Sequence, residues 1–158
     1  MDWTKYLIAS QGYLDLGMGQ EAWDELDSMH PHDRARPEVA VMQLVILQSM
    51  ARWDKAAEIA RDAIRAHPDR PELYILGAYA IRRAEDVRAA FLFLHEGRTH
   101  LADDPTYWFN RGCYHCQLGE MDDAKRCVQK AAELDGRFHQ MALDDEDLKP
   151  LWDELGKL

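Results

Sequence analysis

The residues best able to do chemistry in this chain are Cys113 and Cys116, a C-x-x-C pair, with His115 between them and Cys127 further on. Two soft ligands at that spacing suit a zinc ion or a thiol–disulfide couple. On a helix, however, Cys113 and Cys116 share a face, His115 points away from it, and Cys127 falls on the following helix. Four converging ligands are not evident. A redox pair also needs a thiolate steadied by a helix N-terminus or a nearby cation, and these cysteines fall toward the middle and end of a helix. They read as small packing residues, and no metal or cofactor is expected. The histidines, His30, His32, His67, His95, His100, His115 and His139, are scattered, with no Ser, Cys or carboxylate recurring beside them in a catalytic motif. No glycine-rich phosphate loop is present. The chain is not expected to be an enzyme.

Composition narrows the partners. Nineteen Lys and Arg against 29 Asp and Glu leave a formal net charge of −10, which repels nucleic acid and anionic membrane surfaces. The longest apolar stretch, 39–47, is interrupted by Gln43 and falls well short of the ~20 residues that span a bilayer. No membrane insertion is expected. The start, Met1-Asp2-Trp3-Thr4-Lys5, lacks the basic and apolar regions of a secretory leader. An odd number of cysteines provides no disulfide framework, which agrees with a reducing, cytoplasmic compartment.

What positions these residues is a repeat. Pro37, Pro71 and Pro105 recur at a period of 34, the period of the tetratricopeptide repeat. Dividing the chain as 3–36, 37–70, 71–104 and 105–138 places Ala22, Ala56, Ala90 and Ala124 at one repeat position, the twentieth. Position 4 reads Tyr6, Ala40, Tyr74, Trp108, and position 8 reads Ser10, Leu44, Ala78, Gly112. Each proline suits the first turn of a helix, where its missing N–H has no partner to lose. Asp104 is placed to cap the helix at Pro105, and Gly17, Gly119 and Gly136 fall where helices should end. Helices are expected near 3–15, 19–29, 37–49, 53–66, 71–83, 87–99, 105–117 and 121–134.

The fourth unit carries a family resemblance. Trp108, Gly112, Gly119, Ala124 and Ala131 stand where the tetratricopeptide repeat has an aromatic, a small residue, a turn glycine and two packing alanines. The chain resembles that family over 3–138. The resemblance implies an all-α fold, a right-handed α-solenoid of four helix-turn-helix repeats forming a single domain over 1–158. After the last repeat, Leu148, Leu151, Trp152 and Leu155 make an apolar stripe on an amphipathic helix at about 144–156, capped by Asp144 and Asp145. Such a helix covers the open face of a terminal repeat; the alternative is that it folds into the groove as a self-inhibitory peptide.

In the resembling family the first helix of each repeat lines a concave groove. Carried over by position, the partner-binding residues are Val41, Val45 and Gln48 in repeat two, Ile75, Tyr79, Arg82 and Arg83 in repeat three, and Phe109, Cys113 and Cys116 in repeat four. Apolar contacts beside two arginines suit a protein or peptide partner carrying an acidic group. The competing reading makes Val45 and Ile75 inter-repeat core and pairs the arginines with nearby acids. Leu7 and Gln11 stand where a carboxylate-clamp member of the family needs Lys and Asn, so binding of chaperone tails is not expected. The resemblance implies a non-enzymatic adaptor or scaffold. A substrate chaperone for a secreted or membrane-active protein is the alternative, and a metal or redox protein using Cys113 and Cys116 comes last. Trp3, Tyr6 and Leu7, at the start of the first repeat, are the surface a homodimer would use; the competing and favoured reading is packing within the repeat.

Overall fold

Three of the prolines open helices where the 34-residue period puts them. The computed structural model describes residues 2–156, and its helices are α1 (Thr4–Asp15), α2 (Gly19–Asp27), α3 (Pro31–Arg34), α4 (Pro37–Ser49), α5 (Trp53–Ala66), α6 (Pro71–Ala84), α7 (Val87–Glu96), α8 (Pro105–Gln117), α9 (Met121–Leu134), α10 (Arg137–Asp144) and α11 (Trp152–Leu155). No strand occurs among the described residues. The eight expected helices are all present. At α8 the carboxylate of Asp104 accepts the Thr106 N–H at 2.9 Å, which satisfies one of the orphan donors of the first turn.

The chain gathers into two compact units, one ending at Ala84 and the other beginning at Glu85. The boundary separates the two helices of the third repeat. In the first unit, α1 packs on α2, and α4, α5 and α6 pack on one another. Its core holds Ala22, Leu26, Met29, Val39 and Ile46, with Trp3, Tyr6 and Leu7 packed against them. In the second unit α8 packs on α7 and α9, and α10 follows against α9.

Paired helices approach through small residues. The four alanines of position 20 are all wholly buried, at 0% exposure. In the first and fourth repeats position 8 faces its alanine: the Ser10 hydroxyl donates to the Ala22 carbonyl at 2.9 Å, and a Cβ on Gly112 would stand 2.9 Å from Val128 Cγ2 and 3.3 Å from the Ala124 carbonyl. The period thus records a steric requirement.

The turns between paired helices carry a second one. At repeat position 15, Gly17 and Gly119 have φ of 73° and 80°, and Ala51 takes the same left-handed conformation at φ 55°. A methyl group there crowds its own backbone, which costs ~1 kcal/mol; glycine pays part of that back in chain entropy. Ala51→Gly is expected to stabilise the chain by about 0.5 kcal/mol and Gly119→Ala to destabilise it by about 1 kcal/mol, read as urea midpoints.

The C-terminal segment differs from expectation. In place of one helix over 144–156 there is a 3-10 turn over Glu146–Leu151 followed by α11, and an unexpected helix, α10, ends at Asp144 before them. Pro150 lies inside the turn. Its ring and missing N–H cannot be accommodated in an α-helix interior, and the backbone tightens there instead. The apolar stripe keeps its role, since Leu148, Leu151 and Leu155 are buried. Asp145 caps the 3-10 turn by accepting the Asp147 N–H at 2.9 Å, while Asp144 closes α10. Gly136 follows the C-cap of α9, as expected, and with φ −57° it also opens α10, whose buried Phe138 and Ala142 recur at i, i+4.

Candidate functional site

The site expected from repeats two and three lies on α4 and α6, which pack together within the first unit. Of its residues, Val45 and Tyr79 are exposed, at 36% and 44%, and Val41, Ile75 and Arg82 are half-buried. Gln48 has a structural task instead: its amide donates to the Leu76 carbonyl at 2.8 Å and ties α4 to α6. Arg83 is held by aromatics rather than by an acid. Its guanidinium lies 4.8 Å from the Tyr79 ring centroid and 4.9 Å from that of Trp53, and it donates to the Tyr79 hydroxyl at 2.8 Å. The rings of Trp53 and Tyr79 meet edge to face at 5.8 Å. Stacking of this kind orders a long side chain without neutralising it. The residues of this surface that positional reading missed are therefore Trp53 and the basic turn beside it. The run Ala51-Arg52-Trp53-Asp54-Lys55, with two cations flanking an aromatic, was the available signal.

The residues carried over from repeat four are placed differently. Phe109, Cys113 and Cys116 are 7%, 4% and 3% exposed. The C-terminal segment covers them: Phe138 of α10 meets the Phe109 ring edge-on at 5.4 Å, and Gln117 donates to the Asp147 carbonyl at 2.8 Å. As they stand, these three side chains serve the core of the second unit. Trp3 is likewise packed, with the Arg36 guanidinium 4.4 Å from its ring, and the apolar side chains that the first repeat exposes most are Ile8 and Leu16, at 72% and 74%.

Two of the three thiols are held in their neutral form. All three cysteines are buried and none is in a disulfide. Burial, and then the Asp147 charge, pushes the Cys116 thiol up, and burial pushes Cys127 to about 11. A thiol held in its neutral form is a poor nucleophile and a poor ligand. Cys113 lies near Asp145 and Asp147, a group of three potential ligands that leaves Cys116 out, and the Asp145 carboxylate there is the cap of the 3-10 turn.

His115, 5% exposed, forms a second such group with Glu120 and Asp123. Arg111 Nε donates to His115 Nε2 at 3.3 Å. A guanidinium cannot accept, so Nε2 is the bare nitrogen and Nδ1 carries the hydrogen. That N–H is buried without a hydrogen-bond partner, 3.7 Å from the Glu120 carboxylate. A metal would need the lone pair that the proton occupies, and Asp123 is engaged by Arg126. The arrangement is a buried neutral imidazole beneath a cation.

Burial first, then the Arg111 charge, holds the His115 pKa below its ordinary value, against an opposing pull from Glu120 and Asp123. His95 is lowered by burial and then by Arg98 and Arg111. The unfolded chain therefore binds protons first on acidification: stability is full above about pH 6.5, the unfolded value, and falls as pH drops from there to the folded values. Urea midpoints should decline from about pH 7 to about pH 5, and His115→Gln should make that decline shallower. An unchanged slope would remove His115 from the account.

A model of the tetratricopeptide repeat family matches residues 15–142. Among solved structures the chain is similar to a crystal structure of MamA, at 16% identity and a TM-score of 0.78, over 99% of this chain and 90% of that one. It is similar to MamA from Desulfovibrio magneticus RS-1, residues 41 to the end, at 18% identity and TM-score 0.75, over 98% and 91% of the two chains. A third similar structure is YrrB, described as a tetratricopeptide-repeat protein with an unusual peptide-binding site, at 14% identity and TM-score 0.68, over 83% of this chain and 68% of that one. No curated protein matches the sequence. At these identities the structural likeness shows the fold alone.

Proposed function

This chain belongs to the tetratricopeptide-repeat family, and on that premise we propose that it is a non-enzymatic adaptor which holds a segment of a partner protein against α4 and α6, the first helices of its second and third repeats. One observation carries the reading: Val45 and Tyr79 are exposed apolar side chains on these two helices, beside the stacked cation Arg83. A rigid aromatic next to an ordered guanidinium is the composition of interface anchors, because both bury large area at small entropic cost. The peptide-binding site named for the similar YrrB supports the same use of the fold. Among the described residues no helix is long and apolar enough to cross a membrane. Three buried cysteines outside any disulfide favour a reducing compartment, and we place the adaptor in the cytoplasm on that ground. Self-association through the first repeat would use Ile8 and Leu16.

Affinity capture from native lysate, read by mass spectrometry, tests the proposal. The double variants Val45→Glu with Tyr79→Ala and Arg82→Glu with Arg83→Glu should each lose a protein that the wild type retains. Retention of every specific partner by both variants would contradict the assignment of this surface.

A further inference from the structure

We propose that the hollow at the start of α5 is a seat for a carboxylate side chain of the partner segment, an assignment that rests on the adaptor reading above. The hollow has a volume of about 500 Å³ and lies wholly within the first unit, lined by Arg52, Trp53, Asp54, Lys55 and Arg83. Three cations thus face one acid.

In a chain of net charge −10, surface cations readily find carboxylates, as Arg34 does with Asp27, Arg65 with Asp62, Arg70 with Glu38 and Lys125 with Glu154. The cations of the hollow do not. Arg52 donates to the Gln20 side-chain carbonyl at 3.4 Å, Lys55 lies 4.3 Å from the Trp23 ring centroid, and Arg83 is stacked on Trp53 and Tyr79. Each is held by a neutral partner, and among the described residues none forms an ion pair. Neutral partners fix the positions of the charges and leave the charges themselves uncompensated. The N–H groups of the first turn of α5 have no side-chain cap and add positive potential, with Asp54 the one acid in that turn.

The occupant follows from charge and neighbourhood. A guanidinium takes a carboxylate through paired N–H donors, and Tyr79, part of the same stack, offers apolar area for the adjoining residue of a peptide. Nucleic acid and an anionic bilayer would meet the same local cations, but they carry charge over a far larger area and would be repelled by the acidic remainder of the chain. A peptide placing Asp or Glu beside an apolar residue is the ligand class.

Fluorescence anisotropy with two fluorescein-labelled peptides tests this, one alternating Leu with Glu and the other Leu with Gln. The Glu peptide is expected to bind about ten-fold more tightly at ~0.1 M salt, and its advantage should shrink as salt is raised. The double variant Arg52→Gln with Lys55→Gln changes two exposed side chains and should cut the preference to about two-fold or less. Arg65→Gln, on the same helix and 78% exposed, should preserve it. Equal binding of the two peptides, binding of neither, or an equal loss of preference in Arg65→Gln would each overturn the seat. The adaptor surface is read separately, through Tyr79→Ala. If that variant weakens both peptides while no Glu preference exists, the surface stands and the seat fails. If the preference disappears in the Arg52 and Lys55 variant but Tyr79→Ala has no effect, the seat stands and the apolar surface fails.

Discussion

Replacing Leu148 and Leu155 together by alanine is expected to remove about 6 kcal/mol of stability from the second unit, at about 3 kcal/mol for each buried leucine. Both side chains are at 0% exposure. The 3-10 turn that carries Leu148 packs on α8, and α11, which carries Leu155, packs on α10, so the cavities left behind cannot collapse independently of the helices around them. A loss of that size is comparable with the whole stability of a small domain. Urea unfolding followed by circular dichroism would show it, and Leu134→Ala provides the contrast, since Leu134 is 37% exposed and should cost less than about 1 kcal/mol. If the double variant unfolded at the wild-type midpoint, the C-terminal segment would be a displaceable strap rather than part of the core. That outcome would restore Phe109, Cys113 and Cys116 as a surface open to a partner.

The second large effect is expected at Gly112. A Cβ there already stands 2.9 Å from Val128 Cγ2, and the Ala124 carbonyl and Cys127 Cβ are within 3.4 Å. Val128 is β-branched and buried, and it has little freedom to withdraw. Gly112→Leu should therefore force α8 and α9 apart and cost about 3 kcal/mol. Gly12 in α1 has nothing within 4 Å of its would-be Cβ. Gly12→Ala should raise stability by about 0.5–1 kcal/mol through helix propensity alone. Thermal melts of the two variants would separate packing from propensity. Similar shifts of the same sign would contradict the close approach of α8 and α9.

The repeat was legible because sterics wrote it. Alanine at position 20, prolines at helix starts and the left-handed turn residues Gly17, Ala51 and Gly119 at position 15 answer to local geometry, which recurs with the period. The break at Pro150 was missed by the expected helix over 144–156, because the apolar spacing of Leu148, Leu151 and Leu155 is compatible with both a continuous helix and a tightened turn, and the proline alone decides between them. The site was harder. Positional transfer from the family found the exposed Val45 and Tyr79 together with Arg83, yet it could not foresee that α10 and the 3-10 turn would cover the corresponding positions of α8. Nor does spacing alone show that Trp53 lies beneath Arg83, because that contact joins α5 to α6 and depends on how the second and third repeats pack.

Hydrogen exchange measured by mass spectrometry, on the chain alone and with its captured partner, tests the adaptor claim most directly. The account predicts slowed exchange in α4 and α6, Pro37–Ser49 and Pro71–Ala84, with the turn at Ala51–Lys55 protected if a carboxylate occupies the seat. Protection confined to the second helices of the repeats, or to α9 and α11 in the second unit, would contradict it.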